Sequence, residues 1–387
     1  MTENAMIAQV ESIPGLIRDE FRELDRKVRK LLDHNECLSV KRVVITGCGD
    51  SHMAGVATEL AFEQLAGIPT EPMRAMEAAR YGAIYQPKSF PGNPLTLGIS
   101  VSGSVARTRE ALAMARTEGA LTVAITANPE SPVGQAAERI LDCTVPDLAP
   151  PTPGVHSPGV RSYRVSMMVL YLLAIRLAEV GERMTQDEAN ALRAELKATA
   201  DAVEATIEAC NSKTRELAEA VAAHKDFVFT GDGPNLATAY FGAAKLIEAA
   251  GRHAMGQDTE EWAHLQYFVN VDTDTPTFVI SPGGRGHKRV AELMDPMTRI
   301  GRTIVAVVPE GDTAIAPHAS WVLPVVGNVR EIFSPMVYSV ASELFSAHLS
   351  DVVGEPFFRG FSGPYDSSVN GGNTIRNSKV IERSDLP

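Results

Sequence analysis

Two short turns hold the residue types best suited to gripping a ligand. Gly47-Cys48-Gly49-Asp50-Ser51 follows the apolar run Val43–Thr46, and Ser100-Val101-Ser102-Gly103-Ser104-Val105 closes the run Thr96–Ser100. Hydroxyls, a thiol and glycine N–H groups at strand ends, each ahead of a helical pattern, point donors at a small anion. A dinucleotide fits poorly. It calls for G-x-G-x-x-G and an acidic residue near the end of the second strand, whereas the third glycine here is Gly55 and no acid stands at that place. Ser and Gly often serve only as turn and cap residues, yet two such turns in one unit, both at strand ends, indicate a site. Further along, Lys245 and Glu248 share a helix face as an i,i+3 pair, and His264 follows. On spacing alone these read as a solvated ion pair and a satisfied interior histidine.

Positioning such turns requires an α/β frame, and the chain contains two. VVITGCGDSHMAGVATELAF from Val43 is echoed by FVFTGDGPNLATAYFGAAKL from Phe227, and the segment from Thr96 is echoed by TFVISPGGRGHKRVAELMDPMTRIGRTIVAVV from Thr277. Gly47 and Gly231, and Ser100 and Ser281, stand at nearly equal separations, as an internal repeat requires. Short apolar strands alternating with helical patterns read as βαβ units on parallel sheets. Expected strands are Val43–Thr46, Thr96–Ser100, Thr122–Ile125 and Ile140–Val145 in the first copy, then Phe227–Thr230, Thr277–Ile280, Thr303–Val308 and Trp321–Val325 in the second. Between the copies lie the Pro/Gly-rich DLAPPTPGVHSPGVRSY and two long helical patterns from Arg164 to about Lys225, a hinge and spacer. The expected division is an N-terminal helical segment 1–36, a first α/β domain 37–160, connecting helices 161–224, a second α/β domain 225–355 and a tail 356–387.

At 387 residues two domains are the default. The formal net charge of −12, with no basic run at either end, argues against nucleic acid and anionic membrane as partners. MTENAMIAQVES lacks a basic segment followed by an apolar one, and VSMMVLYLLAI is too short to span a bilayer, so a cytoplasmic location is expected. Cys37, Cys48, Cys143 and Cys210 lack the spacing of a disulfide framework or a zinc site.

Further motifs complete the set: Lys245-Leu246-Ile247-Glu248, Glu261-Trp262-Ala263-His264, and Arg376-Asn377-Ser378-Lys379-Val380-Ile381-Glu382. Together with the two turns, in this order and over nearly the whole chain, they resemble the tandem sugar isomerase (SIS) domains. The likeness is to the isomerase half of glucosamine-6-phosphate synthase, with its C-G-T-S, S-Q-S-G-E-T, K-L-K-E, E-L-K-H and P-R-N-L-A-K-S-V-T-V-E segments. The resemblance implies two doubly wound, flavodoxin-like parallel-sheet subdomains and an enzyme without cofactor or metal. It implies that Glu248 carries a proton between C1 and C2 of an opened sugar through a cis-enediol or enolamine. Lys245 would stabilise the developing charge, His264 would protonate the ring oxygen, and Lys379 falls on the family's C-terminal lysine. Substrate contacts are implied for Cys48, Gly49, Asp50, Ser51, Ser100, Val101, Ser102, Ser104, Val160 and Arg161. A homodimer with shared active sites is implied as well, His264 reaching the partner's sugar. Gly251 and Gly256, which interrupt the helical pattern, are expected to let Glu260–His264 turn away from its own lobe.

Departures from the family pattern narrow the ligand. Val105 and Asp50 replace threonines and Val101 replaces glutamine, which removes donors and adds a negative charge. Arg161, in Gly159-Val160-Arg161-Ser162-Tyr163 where the family reads G-V-A-S-T, brings a cation able to grip an oxyanion with its fork of donors. A hexose with an anionic C6 group is expected, a 6-phosphate or a singly charged 6-sulfonate. The chain begins MTENAM and its first cysteine is Cys37, so glutamine hydrolysis by an N-terminal cysteine is not expected. Plain aldose–ketose isomerisation remains, or amination and deamination with free ammonia. A non-catalytic sugar-binding regulator is the competing class, and retention of Lys245, Glu248 and His264 favours the enzyme.

Overall fold

The computed structural model describes residues 4–148, 156–366, 368 and 371–386. Its ten described strands form two five-stranded parallel sheets. The first contains β1 (Val43–Gly47), β2 (Thr70–Arg74), β3 (Leu95–Ile99), β4 (Leu121–Thr126) and β5 (Arg139–Asp142), in the order β2-β1-β3-β4-β5. The second contains β6 (Asp226–Gly231), β7 (His253–Gln257), β8 (Pro276–Ile280), β9 (Thr303–Pro309) and β10 (Trp321–Val325), in the order β7-β6-β8-β9-β10. The same doubly wound order thus occurs twice. Inner strands β1, β3, β4 and β8 are buried along their whole length, which is why they read as continuous apolar runs.

Eight strands fall within a few residues of expectation, and two, β2 and β7, were not expected. TEPMR and HAMGQ carry no apolar run, and one contains proline and the other glycine. Both lie at sheet edges, where one open side tolerates such residues. The finding also corrects the role expected of Gly251 and Gly256. Gly251 is the left-handed residue (φ 63°) that ends the helix Asn235–Ala250, and Gly256 lies inside β7, where a Cβ would come within 2.7 Å of the Tyr240 backbone. Neither acts as a swivel.

Two compact units emerge, each discontinuous in sequence. One comprises Asp19–Asp147, Ser162–Lys197 and Phe361–Pro387 around the first sheet; the other comprises Met1–Arg18, Leu148–Arg161 and Ala198–Gly360 around the second. The expected pair of long helices is present as Arg161–Val180 and Gln186–Ala220, and the Pro/Gly-rich loop before them lies partly outside the described residues. VSMMVLYLLAI is buried at nearly every position of the first of these helices. No described helix is long and apolar enough to cross a membrane.

In the second unit, Phe229 stacks on Phe278 at 4.4 Å, and Phe278 meets Phe345 of the helix Val340–Val353 at 4.9 Å. Gly242 permits this packing, since a Cβ there would stand 2.9 Å from Phe229 and 3.0 Å from Ser342. The Asn235–Ala250 helix, which carries Lys245 and Glu248, is thereby seated firmly on its sheet.

Candidate active site

β1 and β3 are neighbours, yet their connections leave toward opposite sides of the sheet, so the crevice beyond their carboxyl ends is a topological switch point. Both hydroxyl turns lie there. Gly47 ends β1 against Ser51, whose Cβ would be 2.6 Å from any Cβ added at Gly47. Cys48 is exposed, and Gly49 (φ 55°) turns the chain into the helix Asp50–Ala61. Asp50 occupies the first turn of that helix, where a carboxylate suits the dipole and competes with an incoming anion. Burial and the nearby Arg74 charge push His52 down to about 4, so it adds no cation near neutral pH.

The second turn is more open to a ligand. Ser102 and Ser104 hydroxyls lie 2.9 Å apart. Gly103 (φ 68°) packs so closely on Ser131 that a Cβ would fall 2.0 Å from its hydroxyl. Val105 caps the helix Ala106–Thr117 without a side-chain hydrogen bond, so the first N–H groups of that helix lack the acceptor that a Ser, Thr or Asp cap supplies. Ser100 is 2% exposed and its hydroxyl finds no partner among the described residues. A buried hydroxyl of this kind calls for a water or a ligand.

The equivalent edge of the second sheet differs, and nothing in the sequence pattern revealed it. The Ser281 hydroxyl lies 2.9 Å from His287 Nδ1, and His287 Nε2 lies 3.0 Å from Asp312, whose other oxygen accepts the Ile315 and Ala316 N–H groups at 2.7 and 2.9 Å. The serine that closes β8 is thus hydrogen-bonded within its own unit. Of the two matching serines, Ser100 of the first copy is the one whose hydroxyl lacks a partner among the described residues.

Lys245, Glu248, His264, Val160 and Arg161 belong to the unit of the second sheet, while the two hydroxyl turns and Lys379 belong to the other. Lys245 is fully buried, and its ammonium donates to Glu248 at 2.5 Å and to the Gly159 carbonyl at 3.4 Å, with the Phe241 ring centroid 4.9 Å away. An ammonium survives such burial only when paired and hydrogen-bonded. This pair is therefore no solvated surface contact. The loop before the Arg161–Val180 helix is held by Gln9, which donates to Ser157 and Pro158 and accepts the Val160 N–H at 3.3 Å. Val160 is buried and Arg161 opens the helix half-buried. Gln9 carries no motif and was not anticipated.

The end of the Asn235–Ala250 helix has an unusual cap. Arg359 donates to the Ile247, Glu248 and Ala249 carbonyls at 2.9–3.0 Å and lies over Gly251, where a Cβ would sit 2.5 Å from its guanidinium. A cation on the last carbonyls complements the helix dipole and holds the turn bearing Glu248.

His264 ends the short helix Thr259–His264, capped by Asp258. The expectation that this segment swings free is overturned: Trp262 is 0% exposed among Val228, Val279, Met294 and Met297. His264 points the opposite way, its side chain 68% exposed and 3.6 Å from Glu260. An interior histidine is excluded. Lys379 is exposed on the tail, whose backbone at that point accepts a hydrogen bond from Arg107.

Comparison with known proteins adds a family. Residues 38–176 match the SIS domain. The chain is 28% identical over 350 residues to the glutamine–fructose-6-phosphate aminotransferase (isomerizing) of Gloeobacter violaceus, a match covering 89% of this chain and 55% of that protein. The chain thus spans about half the length of the curated relatives it matches. Its fold superposes on the C-terminal domain of glucosamine-fructose-6-phosphate aminotransferase from Francisella tularensis, with a TM-score of 0.75, 17% identity and coverage of 91% and 97% of the two chains. It also superposes on tagatose-6-phosphate ketose/aldose isomerase from Escherichia coli, with a TM-score of 0.68, 15% identity and coverage of 90% and 92%. Residues 38–176 thus match the SIS domain, and most of the chain is similar to about half of the glutamine–fructose-6-phosphate aminotransferases.

Proposed function

We propose that the chain is an aldose–ketose isomerase acting on a hexose with an anionic group at C6. One observation carries this reading: a fully buried lysine ammonium lies 2.5 Å from a carboxylate whose side chain is 31% exposed, on a helix seated and capped by the protein interior. This pairing supports a role for that carboxylate as the general base. In this reading Glu248 removes the proton from one sugar carbon and returns it to its neighbour, while Lys245 offsets the charge that develops on the enediol oxygen. His264 opens the ring, and Lys379 reaches the sugar from the tail. The C6 anion is taken by Ser100, Ser102, Ser104 and the uncapped N–H groups after Val105, with Cys48, Gly49 and Ser51 from the first turn. The active form is an isologous homodimer in which His264 serves the partner's sugar; the exposure of its side chain favours this reading.

A singly charged sulfonate is favoured over a phosphate dianion by the apolar Val101 and Val105 and by Asp50 in the first turn. The test is deuterium uptake from heavy water at C1 or C2 across 6-phosphates, 6-sulfonates and neutral hexoses, with added ammonia as a further arm. Exchange confined to C6-anionic sugars is expected. Sugar binding, read as a raised melting temperature, without any exchange would make the protein a sensor.

Arg161 gives a sharper test. Replacing it with alanine should raise KM about tenfold for the anionic sugar and less than about twofold for its neutral analogue, since a charge-assisted hydrogen bond is lost only in the first case. Equal effects on both sugars would remove Arg161 from the anion site.

A further inference from the structure

Glu110 is a buried carboxylate that the proposed chemistry does not use. It is 0% exposed on the helix Ala106–Thr117 and gathers donors from several segments. Arg80 Nε donates at 2.7 Å, the Ile381 N–H donates at 3.0 Å, and Arg107 donates through Nη1. Through its other terminal nitrogen Arg107 donates to the Ser378 hydroxyl at 3.1 Å and to the Lys379 carbonyl. Burial alone would raise the Glu110 carboxyl; hydrogen bonds from Arg80 and Ile381, with the charge of Arg107, hold it below the usual carboxylate range.

We propose that Glu110 and Arg107 are positioning residues that clasp the C-terminal tail onto the start of the Ala106–Thr117 helix and thereby fix Lys379 beside the Ser100–Val105 turn. This rests on the part assigned above to Lys379. The Ile381 contact is to a backbone amide, so it holds the main chain of the tail rather than one side chain. Arg107 is the second residue of a helix that begins where the Ser100–Val105 turn ends, so the tail segment it holds, through the Ser378 hydroxyl and the Lys379 carbonyl, stands near that turn. Farther along, Arg383 donates to the buried Glu118 at 2.9 Å and Leu386 packs against the Met114–Ala115 cluster. These contacts anchor the tail's end. Only the clasp acts at the level of Lys379.

The experiment combines amide hydrogen exchange with steady-state kinetics on the full chain carrying Arg107→Ala, Arg107→Lys or Glu110→Gln. Glu110 is wholly buried and its replacement can disturb folding, whereas the Arg107 side chain is 18% exposed and its variants keep the test open. Arg107→Ala should speed exchange at 378–381 about tenfold while β3 and β4 amides stay protected, the ratio expected when one charge-assisted contact is lost. It should lower kcat about tenfold and leave KM within about twofold, because the tail's lysine would act on the reacting sugar rather than on its binding. Arg107→Lys should restore part of both. Unchanged exchange in the tail, or a loosened tail with wild-type kcat, would overturn the clasp. A wild-type chain that isomerises no sugar would sink the isomerase reading instead, and the exchange measurement would still decide whether the tail is clasped.

Discussion

Glutamine in place of Glu248 should lower isomerisation by about 10²- to 10⁴-fold, the range seen when a positioned proton-transfer group is lost, with sugar binding largely intact. The substitution suits the structure. The Glu248 side chain is 31% exposed and its described partner is the Lys245 ammonium at 2.5 Å; a glutamine oxygen can still accept that hydrogen bond. Alanine would take the Glu248 acceptor away from a fully buried cation, a change that costs about 3–5 kcal/mol in comparable buried pairs and would mix folding with chemistry. Stopped-time assays of ketose formation, with a melting curve on the same sample, separate the two effects. Turnover near wild type in a folded Glu248→Gln protein would take this carboxylate out of the mechanism.

Activity should reappear when two dead proteins are mixed. If His264 serves the partner's sugar, Glu248→Gln and His264→Ala homodimers each have both sites broken. A mixed dimer has one site with both intact groups and one with neither. Random exchange of equal amounts makes half of the dimers mixed, so about a quarter of wild-type activity should return by this symmetry argument. The local geometry gives this test its force. Trp262 is locked in its own core, while the His264 side chain at the end of the same short helix is 68% exposed and available to a partner. Subunit exchange shown by mass spectrometry, with activity still absent, would refute sharing.

Local pattern carried much of the fold. The inner strands are apolar because both faces are covered, so their positions are legible from composition alone. The two turns and the i,i+3 spacing of Lys245 and Glu248 are likewise local facts, and a repeat displays itself without coordinates. Edge strands β2 and β7 escaped because half of their surroundings is solvent, which leaves no periodic constraint on TEPMR or HAMGQ.

Sequence by itself determined the two α/β copies, the glycine- and hydroxyl-rich turns at their strand ends, and the set of titratable residues that the family resemblance turned into roles. Tertiary structure alone decided which copy keeps an open turn. Ser100 and Ser281 occupy matching positions, but His287 and Asp312 satisfy Ser281, while the Ser100 hydroxyl has no partner among the described residues. It also decided that Gly256 lies in a strand and that Lys245 is buried. The Ile381 amide, 271 positions from Glu110 in sequence, meets that carboxylate only in the folded chain. Burial and hydrogen-bond satisfaction are properties of groups brought together from distant segments, and no window along the chain contains both partners.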